Sequence, residues 1–296
     1  MGSLLTPRAS VLLLVVIAVV FGSNHVAARL AFDHGTSVAT AVAVRSGITA
    51  LALLVWLRAI GVGIALPRTT LARACLIGAL VALQSFCLYS SVARIPAALA
   101  LLAFNTYPML LALLTWASGG GRPSAKALVA MPVALAGLVL ALDVVGHAGD
   151  LRGRWEEIGV GVGWALGAAA TFTLVLFLTG RWMKEVDGRL RSFYAMGVTA
   201  LLVGAAGATT DAFALPQDGL GWLGLALLTL LYGSAFTALF VVLPRLPAAH
   251  LTVTLNIEPI AVLAIAWALL GQSVSALQIL GALIVIGAIT FPVLRR

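Results

Sequence analysis

Two stretches decide the reading: "RIPAALALLAFNTYP" at 94–108 and "RLPAAHLTVTLNIEP" at 245–259. Laid over each other at an offset of 151, they match at Arg94/Arg245, Pro96/Pro247, Ala97/Ala248, Ala98/Ala249, Asn105/Asn256 and Pro108/Pro259. Trp116/Trp267 and Gly120/Gly271 continue in register. At an offset of 150, "RSGITAL" (45–51) lies on "AMGVTAL" (195–201), pairing Gly47/Gly197 and Thr49/Thr199. Matches among Ala and Leu mean little in so apolar a chain, but paired Asn, Pro and Trp at one offset mark a duplication. The expected units are residues 1–148 and 149–296, within one membrane domain.

The chain is 62% hydrophobic and only 9% charged, with a mean hydropathy of +1.11. A soluble domain carries roughly a quarter charged residues. Apolar runs of about 20 residues suit helices crossing a hydrocarbon layer of about 30 Å. Ten spans are expected, near 9–31, 38–60, 71–92, 96–118, 125–144, 158–180, 191–209, 219–243, 247–270 and 275–294, broken by "DHGTS", "VGIALPRTT" and "SGGGRPS". The fold class is therefore an all-α integral membrane protein. The first 22 residues look like a signal peptide but read as the first span, because nine more follow. A net charge of +8 reflects basic residues capping the spans, so nucleic acid is not implied. Cys75 and Cys87 share one expected helix on different turns. They cannot form a disulfide there and read as small core residues.

Basic residues orient the chain. With the N-terminus inside, thirteen fall on the cytoplasmic side: Arg8, Arg58, Arg68, Arg73, Arg122, Lys126, Arg181, Lys184, Arg189, Arg191, Arg245, Arg295 and Arg296. Four (Arg29, Arg94, Arg152, Arg154) fall outside, and Arg45 lies within a span. Both termini are expected in the cytoplasm. A five-helix unit has an odd number of spans, so its second copy enters the membrane inverted. Inverted repeats of this kind build secondary transporters, with substrate held near the midplane where the halves meet.

The chain resembles the EamA type of drug/metabolite transporter. "FGSNHVAARLAF", "VAVRSGITALALL", "ALQSFCLYSSVARIPAALALLAFNTYPMLLALL" and "RLPAAHLTVTLNIEPIAVLAIAWALLGQSVSALQILGALIVIGAIT" carry the likeness. It implies export of small metabolites or drugs by ten helices around a central cavity, with both termini inside. Amino acids or related amphipathic compounds are the substrate expected from the resemblance. Relatives often have Gly-Glu where this chain has Gly271-Gln272, at a helix end.

Pro108 and Pro259 lack an N–H for the carbonyls of Phe104 and Leu255. Asn105 and Asn256 are candidate local donors to them, and the motif reads either as a packing kink or as a pair of hinges. Glu258 is the one acidic residue expected near mid-span, with Tyr107 as its repeat counterpart. A charge there costs about 2.5–3.5 kcal/mol on insertion scales. It is either a site for a substrate amine or a proton, or a bond to a neighbouring helix. The resemblance favours the latter or a gate. Arg45, about two turns into its span, either snorkels outward or pairs with Glu258 or a substrate carboxylate. Asn24 and His25 lie mid-span among small residues. His25 is a proton-coupling candidate, though a histidine bonded to one neighbour is the plainer reading.

Gln84, Tyr89, Trp164, Thr171, Phe172, Tyr194 and Tyr232 are further cavity candidates, while Trp155 and Trp182 read as interfacial anchors. The chain contains no Walker, CxxC or HExxH pattern, so nothing supports ATP hydrolysis, zinc or another cofactor. Gly22-Ser23 and His25 do not form an intramembrane protease dyad, since neighbours on one helix point apart. The expected partners are a small-molecule substrate and membrane lipid, with proton coupling and oligomeric state open. The competing function is an uncoupled facilitator or channel.

Overall fold

Local chemistry sets the helix ends. In the computed structural model, which describes residues 7–123, 151–242 and 275–294 with a few isolated positions between them, Ser37 caps the second helix by accepting the Thr40 N–H at 3.1 Å. That helix ends at Ala59 before Gly61, whose φ of +70° is open to glycine. Asp187 caps a later helix through the Arg189 N–H at 2.8 Å.

The described elements are α1 (Pro7–Asp33), α2 (Val38–Ala59), α3 (Arg68–Val92), α4 (Ala97–Phe104), α5 (Tyr107–Ala117), α6 (Leu151–Trp182), α7 (Gly188–Thr209), α8 (Gly219–Val242) and α9 (Ala276–Leu294). Among the described residues, six stretches are long and apolar enough to cross a membrane: Val38–Ala59, Arg68–Val92, Leu99–Ala117, Ile158–Trp182, Gly188–Thr209 and Gly219–Ala238. At 1.5 Å per residue, the 22 residues of α2 reach about 33 Å. The chain is an all-helical, multi-pass membrane protein. The expected fifth and ninth spans lie almost wholly outside the described residues, so the full set of ten remains an expectation.

Beside an apolar core that includes Val42, Leu57 and Leu228, large apolar side chains cover the outer face and several polar ones are enclosed. Leu201, Val55 and Leu230 are 74%, 70% and 67% exposed, whereas Asn24, Arg45, Ser46, Ser91 and Thr199 are fully buried. Lipid is as apolar as leucine, so apolar side chains face outward at no loss and polar groups seek one another inside. Of the two cysteines, Cys87 is buried and Cys75 is exposed, and both are free thiols. The core placement holds for Cys87 only, because Cys75 falls on an outward face of α3.

The main helix pairings are α1 on α8, α3 on α6, α2 on α7, α3 on α7 and α2 on α8. Exchange α1, α2 and α3 for α6, α7 and α8, and this set of pairings maps onto itself. Small residues permit the close approaches. A Cβ on Gly224 of α8 would lie 2.7 Å from the Ala31 nitrogen and 3.0 Å from the Ala27 oxygen on α1. One on Gly78 of α3 would lie 2.7 Å from the Val198 Cβ on α7.

The fourth span is broken. α4 stops at Phe104 with Asn105 as its C-cap, and α5 begins at Tyr107 with Pro108 in its first turn. Here the Asn105 N–H bonds Leu101 O at 2.8 Å, while the Thr106 N–H turns to Ala103 O at 3.2 Å. The Thr106 hydroxyl also donates to Ala103 O at 2.8 Å. The expected side-chain donor at this break was Asn105, but the hydroxyl that bonds the local backbone belongs to Thr106. Asn105 is buried, and its amide shows no hydrogen bond among the described residues.

Candidate functional site

Four helices converge on one buried side chain. α2 carries Arg45, whose guanidinium is wholly enclosed. Its carbon lies 3.6 Å from the Tyr232 ring centroid on α8 and 4.8 Å from that of Tyr89 on α3. The Tyr89 hydroxyl donates to Asn24 Oδ1 on α1 at 2.6 Å, and the Asn24 amide donates to Phe21 O one turn back. His25 places its ring 5.7 Å from that of Tyr89. Phe32 meets Tyr89 edge-on at 6.1 Å. Phe21 approaches Tyr232 edge-on at 6.1 Å, and Phe236 stacks on it at 5.3 Å.

Arg45 does not snorkel. Local backbone geometry commits it inward: α2 shows its polar residues Thr40, Arg45, Ser46 and Thr49 to the interior, while Ile48, Leu51 and Val55 face outward. Thr49 accommodates this by donating to Arg45 O at 2.7 Å. The charge has partial compensation. Each cation–π contact is worth about 2 kcal/mol when desolvated, comparable with the insertion cost of about 2.5–3.5 kcal/mol. The hydrogen-bonding capacity does not. Nε, Nη1 and Nη2 all lack a hydrogen-bond acceptor, although each unmet buried donor costs about 1–3 kcal/mol. Tyr232 and Tyr89 are the polar residues beside the guanidinium, and the Tyr232 hydroxyl is close enough to attract it, although none of the three nitrogens reaches the geometry of a formed hydrogen bond.

The sequence candidates therefore divide. Asn24, His25, Arg45, Tyr89 and Tyr232 form one cluster. Tyr107 belongs to another, across the break in the fourth span, with Phe104 at 5.3 Å and Phe172 at 4.9 Å; the Thr173 hydroxyl bonds Tyr107 O at 3.2 Å. Asn105 lies at the same break. Trp164 sits with Phe86 at 6.0 Å and Arg94 at 5.9 Å, apart from Arg45. Gln84 is buried and accepts from the Ser85 hydroxyl at 3.4 Å. Thr171 bonds its own helix at Gly167 O, 2.8 Å. Tyr194 donates to Ile64 O at 2.6 Å, tying α7 to the α2–α3 loop. The Trp182 ring lies 5.6 Å from the Arg73 guanidinium. Asn256, Glu258 and Pro259 lie outside the described residues, as does the side chain of Trp155.

Phe21, Phe32 and Phe236 were not legible as site residues. An aromatic in an apolar run gives no sign of which face it serves. The one available signal was spacing, since Phe236 follows Tyr232 by one helical turn.

The model of the EamA-like transporter family matches residues 8–142 and again 159–294. The chain belongs to the EamA-like transporter family. Two successive matches fit a two-repeat EamA layout. This is a family of transporters, not of enzymes. A solved structure titled "Crystal structure of protein" superposes with a TM-score of 0.59 at 19% identity, over 97% of this chain and 96% of its own. At that identity the likeness speaks for the fold alone. No curated protein matches the chain.

Proposed function

We propose that the chain is a secondary transporter exporting small metabolites from the cytoplasm across the inner membrane by alternating access. Amino acids or related amphipathic compounds are the substrate class. Membership of a transporter family supports the general activity. The observation that carries the mechanism is the set of helix pairings, which is unchanged when three helices of one half are exchanged for three of the other. Such a packing has two equivalent ways to lean, and the buried polar cluster lies where α1, α2, α3 and α8 meet. An inverted second copy, with repeats dividing near residue 148, produces this pattern.

The orientation has both termini and the 181–191 loop in the cytoplasm, a reading supported by the excess of basic residues on that side. Single cysteines placed at either end react only from the cytoplasmic side on this reading, and labelling from outside would reverse the direction of transport.

The test of function is flux in liposomes holding the purified protein, with and without a pH gradient. Saturable, substrate-selective flux with counterflow supports a carrier. Non-saturating flux at channel rates supports the second reading, an uncoupled facilitator, which a symmetric helix packing also permits. Coupling through His25 or Glu258 predicts that neutral substitutions abolish gradient-driven accumulation and spare equilibrative exchange.

A further inference from the structure

Arg45 is a cation with no counter-ion in reach among the described residues. The ion pairs found there are Arg29–Asp33, His34–Asp218 and Arg189–Asp187, and each lies at a helix end. A guanidinium does not give up its charge in proteins, so its burial cannot be relieved by neutralisation. Its two ring contacts supply attraction to the charge, and the Tyr232 hydroxyl beside it closes no hydrogen bond with any of the three nitrogens. What remains unmet is a planar set of N–H donors, and the group that meets it geometrically is a carboxylate or a similar oxyanion.

The position is also one-sided. At the offset of 150 that aligns the second spans, the counterpart of Arg45 is Ala195, itself buried. The duplicated packing can thus be built with a methyl group at this place, and the cation is an addition to one half. Around it the rings of Tyr89, Tyr232, Phe21 and Phe236 form an apolar wall, with Asn24 and His25 at one edge.

We infer that Arg45 binds the carboxylate of an amphipathic substrate, whose apolar part packs on the rings of Tyr89 and Tyr232. This rests on the transporter reading, because Arg45 is fully enclosed and a ligand reaches it only when the surrounding helices part. The site selects anionic or zwitterionic compounds over amines and neutral molecules. The planar fork, not charge alone, makes the recognition, so lysine is an incomplete substitute.

Four probes separate the chemistry: L-phenylalanine, phenylacetate, phenylacetamide and phenylethylamine. Binding to the purified full chain is read from thermal stabilisation in detergent, and transport from flux in liposomes. The two carboxylates are expected to stabilise the wild type and to be carried, while the amide and the amine are not. Arg45→Gln is expected to weaken carboxylate binding at least tenfold, with Arg45→Lys in between. If Arg45→Gln does not fold, Arg45→Lys and Tyr232→Leu carry the test, since both keep other charges in place.

Saturable flux of the amine or the amide, with the carboxylates inert, overturns the site and leaves the transporter intact. Arg45-dependent binding of the carboxylates with no flux of any probe keeps the site and removes the transporter reading. Equal loss of ligand-free stability in Arg45→Gln, Glu258→Gln and the double variant, with carboxylate binding unchanged, makes Arg45 a structural partner of Glu258 and overturns the proposal.

Discussion

At the scale of the residue, the bond from Tyr89 to Asn24 separates two duties of one side chain. The ring faces Arg45 and His25, while the hydroxyl ties α3 to α1. Tyr89→Phe keeps the first and removes the second. Interhelical hydrogen bonds in membrane proteins average about 0.6 kcal/mol and rarely exceed about 1.7. Thermal unfolding of Tyr89→Phe in detergent is therefore expected to show a loss within that range, with carboxylate binding retained. A loss of several kcal/mol would mean that Asn24 organises much more than one bond. Asn24, His25, Arg45, Tyr89 and Tyr232 were legible as candidates because polar and amphipathic side chains at membrane depth need partners. Their meeting in one place was not legible, because it depends on which faces of α1, α2, α3 and α8 are buried. Hydropathy hardly distinguishes the faces of helices that are apolar nearly all round.

Elements make their predictions through backbone proximity. Gly224 lets α8 ride against the backbone of α1, with Ala31 N and Ala27 O inside the radius of any added side chain. Gly224→Leu is expected to force the two helices apart and destabilise by about 1–3 kcal/mol, the usual range for overpacking. Gly197→Ala on α7 is the control, because a Cβ there meets nothing within 4 Å among the described residues. It is expected to be neutral or to stabilise by up to about 1 kcal/mol through helix propensity. Equal losses in the two variants would show that the close approach carries no special weight.

The break in the fourth span makes a second prediction at this scale. We propose that Asn105–Pro108 and Asn256–Pro259 are twin hinges, of which the first lies in the described residues. Pro108 gives no N–H to Phe104 O, so bending there forfeits no backbone bond. Pro108→Ala is expected to slow transport and to bias cysteine accessibility toward one side of the membrane while the protein stays folded. Wild-type flux with unchanged accessibility would leave the proline as a packing feature. The sequence foretold this break because proline acts locally. It did not foretell that Thr106 supplies the local hydroxyl, since that choice depends on a turn geometry only the folded chain displays.

The largest scale concerns how the halves are held. The α1–α2 loop and the α7–α8 loop clasp each other: Ser37 N–H donates to Ala214 O at 3.1 Å and Gln217 N–H to His34 O at 3.0 Å. His34 Nδ1 and Asp218 Oδ2 are 2.6 Å apart. Nothing in the sequence announced this clasp, because a loop histidine and a loop aspartate 184 positions apart share no pattern. The Asp218 carboxyl is held below the ordinary carboxylate range by the Gly221 N–H and then by His34. A carboxyl lowered by folding adds stability that is present above its ordinary value and lost as the pH falls through the lowered one. Asp218→Asn is therefore expected to loosen the clasp at neutral pH, read as faster labelling of a cysteine placed at Gln217. The difference from wild type is expected to persist through mildly acidic pH and to shrink once the medium falls below about pH 3.9. On the proposed orientation these loops face outward, so only the external pH of sealed vesicles should move it. A difference that followed internal pH instead would turn the molecule over in the membrane.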